Sequence, residues 1–332
     1  MASSVPLSIL DLAAVGREET IAASFAGSVE LARAAERGGY RRVWYAEHHN
    51  ISSIASSATA VLIAHVAAHT EKIRLGAGGV MLPNHSPLVI AEQFGTLATL
   101  HPDRIDLGLG RAPGTDQRTW TALRRDPAAS ERFPQDVVEL QRFLSDESPL
   151  PGIKAIPGAG THVPLYLLGS SLFGAELAAE LGLPYAFASH FAPRFLHEAI
   201  ATYRERFKPS GQQPEPYVIA GVGVIAAETE ESAAAQLEAA RRVRARALFG
   251  RGRRLSDEDV TALLDSPQAA AVDEMLAYTA VGIPDQVAAY LEGFAGDTGA
   301  DELITVHYSD TVPNRLRSVE LLAGTWGPLP AR

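Results

Sequence analysis

Short apolar runs rich in β-branched and aromatic residues alternate with stretches of helical periodicity along the whole chain. Residues 5–10 read as a first strand. Residues 21–39 read as a helix closed by a glycine pair. The same alternation predicts strands over 43–46, 73–82, 104–109, 165–168, 185–188, 217–227 and 303–306. Helices fall between them, over 55–69, 87–100, 135–144, 172–181, 193–207, 284–294 and 313–322. Three segments break the rhythm. Residues 111–132 are polar and carry prolines, so they read as a long functional loop, and 149–164 form a Pro/Gly-rich excursion. Residues 229–282 read as a helical insertion rich in Ala and Arg.

Eight strands, each followed by helical material, predict the α/β class and a closed (β/α)8 TIM barrel. The helical insertion lies between strands seven and eight, and residues 1–332 form one domain. A doubly wound open sheet shares the alternation and is the structural alternative.

Composition narrows the function more than the fold. Hydrophobic residues make up 46% of the chain and charged ones 20%, which supports a large core and excludes disorder. The net charge of −10 argues against nucleic-acid and anionic-membrane partners. It leaves room for a phosphate gripped by local arginines. With no cysteine, disulfides, thiolate metal sites and cysteine nucleophiles are excluded. The N-terminus has neither the basic nor the apolar region of a secretion signal, and no apolar run approaches the roughly 18 residues of a membrane span. A cytoplasmic protein is the expectation.

Barrel enzymes place their chemistry at the C-terminal ends of the strands. Glu47, His48 and His49 follow strand two, and an imidazole with a neighbour to orient it suits proton transfer. Capping of the strand end by one histidine is the plainer alternative. No HExxH spacing accompanies the pair, and His65 and His69, four residues apart, lack further ligands, so no metal is expected. Arg111 follows the Gly108-Leu109-Gly110 turn. That run has the spacing GxGxxxG with Pro113 where a helix should start, which is a poor dinucleotide fingerprint. It suits projection of a phosphate-binding guanidinium, or a surface ion pair. Gly169-Ser170-Ser171 opens a helix whose free N–H groups and hydroxyls fit an anion, and Gly174 would keep that turn clear; simple capping by one serine is the competing reading. Gly76, Gly78 and Gly79 interrupt strand three, for a close ligand approach or for barrel closure.

Together these segments resemble the bacterial luciferase-like, flavin-dependent monooxygenases. The matching stretches are residues 43–50 (VWYAEHHN), 78–85 (GGVMLPNH), 104–111 (RIDLGLGR), 169–171 with 182–184, and 282–284 with 299–303, in family order. The resemblance implies FMN across the barrel mouth, delivered reduced by a separate flavin reductase, with O2 and a small organic molecule as substrates. It assigns His48 as the catalytic base, with Glu47 and His49 in support. It assigns Arg111, Gly169, Ser170, Ser171, Gly174 and a second arginine, Arg132, to the FMN phosphate, and Gly78–Gly79 to a cis peptide beneath the flavin ring. Homo-oligomerisation follows the same habit. Luciferase carries an acidic residue where this chain has Ser170. The deazaflavin F420 as hydride carrier, a non-catalytic flavin-binding protein, and a sugar-phosphate barrel enzyme without flavin are the competing readings.

Overall fold

The structure, a computed structural model, describes residues 5–112, 114–250 and 255–327. Nine parallel strands are present: β1 (Leu7–Asp11), β2 (Arg42–Tyr45), β3 (Arg74–Met81), β4 (Ile105–Gly110), β5 (Leu165–Gly169), β6 (Tyr185–Phe187), β7 (Val218–Ala226), β8 (Thr279–Gly282) and β9 (Glu302–His307). The helices are α1 (Ile21–Arg37), α2 (Thr59–Ala67), α3 (Pro87–Leu100), α4 (Gln117–Ala122), α5 (Phe133–Leu144), α6 (Leu172–Leu181), α7 (Leu196–Arg206), α8 (Glu230–Gly250), α9 (Asp257–Leu264), α10 (Ala269–Met275), α11 (Pro284–Thr298) and α12 (Val312–Trp326).

Strands β1 to β7 and β9 close into the expected eight-stranded barrel, with β6 pairing β7 and β9 lying between β7 and β1. Alternation sorts the side chains. Val43, Leu75, Leu107, Leu165 and Leu303 point outward into the large core beneath the helices. Leu10, Trp44, Tyr166, Ile219, Ile304 and Val306 fill the barrel interior. Trp44 is fully buried, and the glycines of β3 make room for it: a Cβ on Gly78 would lie 2.9 Å from Cβ of Trp44, and one on Gly76 2.9 Å from its Nε1. Close packing therefore accounts for these two glycines without any ligand.

Below that apolar layer, charged side chains close the N-terminal end of the barrel. The Arg42 guanidinium, 2% exposed, donates to Asp106 (2.8 Å) and to the Tyr166 hydroxyl (2.7 Å), and its Nε lies 2.9 Å from Glu302. Arg74 and the Trp44 indole N–H reach the same Asp106, while Tyr217 and Ser8 donate to Glu302. Six strands, β1 to β5 and β9, are thus pinned by a network in which each charge faces an opposite one.

Two expectations require correction. The insertion over 229–282 is not purely helical: after α8, α9 and α10 it ends in β8, which pairs Gly223–Ala226 of β7 beyond the point where short β6 stops. The anticipated eighth strand is therefore β9. The segment 111–132 is not an open loop either. Asp116 accepts the backbone N–H of Thr119 (2.8 Å) and starts α4, and a 3₁₀ turn covers Pro127–Ser130.

Candidate active site

The strand ends place polar groups around the C-terminal mouth. Glu47, just after β2, is 1% exposed. Its carboxylate accepts the Met81 backbone N–H (2.9 Å), the Asn84 amide (3.2 Å), and ring nitrogens of His85 (2.9 Å) and His49 (2.8 Å). Burial alone would raise its pKa. Hydrogen bonds from His49 and His85, the charge of His85 and the Met81 N–H outweigh that and bring it to about 2. Glu47 is thus a fixed anion tying the end of β2 to the turn after β3.

His48 stands apart from that cluster. Its ring is mostly buried, which pushes its pKa down; the Gly114 carbonyl and the charge of Glu47 oppose this, while His49 and Arg244 add to it. The net effect lies below the usual value, so the imidazole is neutral at pH 7 and able to accept a proton. The structure joins Glu47 to His49, whose backbone N–H also donates to the Gly114 carbonyl (3.3 Å), and not to His48. His85 belongs to the Glu47 cluster and received no role from the sequence; its position just past strand three was the available signal.

Arg111 follows β4 and is exposed, its guanidinium carbon 4.0 Å from the ring centre of Phe173 in the first turn of α6. Ser171 stands at the N-cap of α6, yet its side chain makes no capping bond. Neither serine hydroxyl, of Ser170 or of Ser171, bonds another described residue, so simple capping does not explain them. The Tyr185 hydroxyl donates to the Ser171 carbonyl (3.2 Å) and steadies the turn. A Cβ on Gly174 would sit 3.4 Å from Tyr185 and 3.6 Å from Gly169, so Gly174 faces the protein and not open space. Arg132 is not drawn into this group: it is exposed and 3.9 Å from Asp126. The Gly78–Gly79 peptide is cis.

Nδ1 of His69 bonds the His65 carbonyl (2.7 Å), and the two rings lie 4.7 Å apart. Among the described residues no three His, Asp or Glu side chains are arranged to hold an ion. No described helix is long and apolar enough to cross a membrane.

Sequence reasoning missed one wall of the mouth. His190, beyond β6, is 7% exposed, and burial, with the charges of Arg244 and His48, lowers its pKa to about 3. Its backbone carbonyl accepts the Tyr308 hydroxyl (2.6 Å), and the Arg244 guanidinium lies over the Tyr308 ring (4.7 Å).

The luciferase-like monooxygenase family matches residues 5–302. The chain belongs to that family. It is 49% identical over 323 residues, 96% of each chain, to the uncharacterized protein YvbT of Bacillus subtilis. It is 54% identical over 231 residues, 69% of each chain, to a luciferase-like monooxygenase of Escherichia coli K12. It is 39% identical over 237 residues to an N-acetyl-S-alkylcysteine monooxygenase of Bacillus subtilis, covering 69% of this chain and 70% of the relative. Among solved structures, apo-MsnO8 superposes with a TM-score of 0.88 at 40% identity over 98% of this chain and 100% of the other. At fold level alone the barrel also matches, each with a TM-score of 0.73 over 97% of this chain, the oxygenating constituent of a diketocamphane monooxygenase in complex with FMN (17% identity, 97% of that chain) and an F420-dependent secondary alcohol dehydrogenase (15%, 98% of that chain).

Proposed function

We propose that the protein is a two-component monooxygenase that takes reduced FMN from a separate flavin reductase and uses O2 to oxidise a small organic substrate. The observation that carries this reading is that Arg111 lies over Phe173 in the first turn of α6, while among the described residues neither its guanidinium nor the hydroxyls of Ser170 and Ser171 have an ion-pair or hydrogen-bond partner. The ribityl phosphate of FMN is a dianion that such a group fits. FMN supplies the electrons and the oxygen-activating ring.

The chain's own contributions follow from its geometry. Arg111, Ser170 and Ser171 grip the phosphate at one side of the mouth. The cis Gly78–Gly79 peptide of β3 would lie beneath the ring. His48, neutral at pH 7, accepts or returns a proton at its imidazole nitrogen on the substrate side. Glu47 acts through His49 and His85 as a positioning residue. The apolar interior and the segment carrying α4 keep water away from the reacting atoms.

A fluorescence titration with FMN and with F420 tests the cofactor. FMN binds, and Arg111→Ala weakens it by roughly 10- to 100-fold, the worth of a charge-assisted contact to a phosphate. Preference for F420, or no flavin binding at all, refutes the proposal. Oxygen consumption with reduced FMN then tests the reaction, with an N-acetyl-S-alkylcysteine as the first compound to assay; His48→Ala lowers turnover far more than FMN affinity.

A further inference from the structure

The insertion helix α8 carries four arginines, and three are paired. Arg241 reaches Asp273 (2.9 Å) and Glu238 (3.0 Å), Arg242 lies 3.4 Å from Glu238, and Arg246 contacts Asp257. Those pairs lie with α9, α10 and the surface of α8 itself. Arg244 forms no ion pair with any described residue. It turns toward the barrel and stacks on Tyr308 instead.

That placement is built and not incidental. On the inward face of β7, Gly221 and Gly223 leave space that neighbouring side chains occupy. A Cβ on Gly223 would lie 2.5 Å from the Tyr308 ring, and one on Gly221 would lie 2.5 Å from Nδ1 of His190. The Tyr308 hydroxyl is fixed on the His190 carbonyl, so the ring under Arg244 has one orientation. Nδ1 of His190 is buried without a hydrogen-bond partner. Phe191, 41% exposed, stands edge-on to the His190 ring at 5.0 Å and gives this wall an apolar flank. Arg244 is also near enough to His48 and His190 for its charge to act on both imidazoles.

A chain of net charge −10 repels anions over most of its surface, so a guanidinium left without a carboxylate at the mouth is a local exception. From Arg244, Tyr308 and His190 together we infer a substrate subsite for a carboxylate: Arg244 receives the carboxylate of an organic acid, Tyr308 holds the guanidinium flat, and the rest of the acid lies along Phe191 toward His48. Arginine suits this role because its planar fork meets both carboxylate oxygens while its face stacks on an aromatic ring. The subsite is separate from Arg111 and α6, so the cofactor phosphate and the substrate carboxylate do not compete. The inference deepens the monooxygenase reading and rests on it for the identity of the site.

The test uses two neutral-pH probes that differ only in charge, N-acetylmethionine and N-acetylmethioninamide. Calorimetric titration is run on the full-length protein, with and without saturating oxidised FMN. The acid binds at least ~10-fold more tightly than the amide. Arg244→Met abolishes that preference, Arg244→Lys retains part of it, and FMN affinity stays unchanged in both. Equal affinity for acid and amide in the unaltered protein, no binding of the acid at millimolar concentration, or a preference that survives Arg244→Met overturns the inference. Loss of FMN binding in the unaltered protein instead refutes the cofactor reading, so the two failures are separable.

Discussion

Replacing Glu47 by glutamine keeps the shape and one acceptor oxygen but removes the charge around which His49, His85, Asn84 and the Met81 N–H are organised. The stability at stake follows from proton linkage. In the folded protein the Glu47 pKa falls from the ordinary 4.5 to about 2, and the side chain is almost wholly buried, so solvent screening discounts little. Because the folded value is the lower one, the contribution is fully present above pH 4.5 and is lost as pH falls through 2. At pH 7 it amounts to about 3 kcal/mol, and at pH 3.5 about 2 kcal/mol remains. Glu47→Gln is therefore less stable than the parent by about 3 kcal/mol at neutral pH, and the gap narrows by about 1 kcal/mol on acidification to pH 3.5. Urea unfolding followed by fluorescence of the three tryptophans measures both gaps. A gap below about 1 kcal/mol at pH 7, or one that does not change with pH, would refute the view that a buried anion organises this side of the mouth.

Two other outcomes follow from the same reasoning. Asp106→Ala leaves Arg74 without its partner and Arg42 with Glu302 only, and costs about 3–5 kcal/mol, a drop in Tm of roughly 5–7 °C by calorimetry; Glu30→Ala, at an exposed pair with Arg33, is a control expected to stay within about 1 kcal/mol. His190 and His307 are buried neutral, each with a folded pKa of about 3 against an ordinary 6.5, so the unfolded chain takes up protons first and stability is lost below pH 6.5. Each contributes a slope of about 1.4 kcal/mol per pH unit between 6.5 and 3, and His307→Asn should make the acid limb shallower by that amount; an unaltered slope would show that His307 is protonated in the fold.

The barrel was legible because parallel strands covered on both sides read as short apolar runs, and helices between them show the longer period. What escaped was short or distant. β8 has four residues at the tail of a helical segment, too few for a period to declare itself. α4 is held by one capping aspartate. Arg111 was readable as an arginine carried on a turn after strand four, and the Glu47-His48-His49 run as proton-transfer material. Which histidine Glu47 would hold depends on His85 and Met81, more than thirty residues away, and on the Gly114 carbonyl. Arg244 looked like one more charge in an arginine-rich helix. Only the pairing of its three neighbours reveals that it faces the other way.

The charged plug of Arg42, Asp106 and Glu302 has a consequence for traffic. Packed side chains fill the barrel above it, so nothing threads the axis, and a ligand held at the C-terminal rim arrives and leaves on that one side.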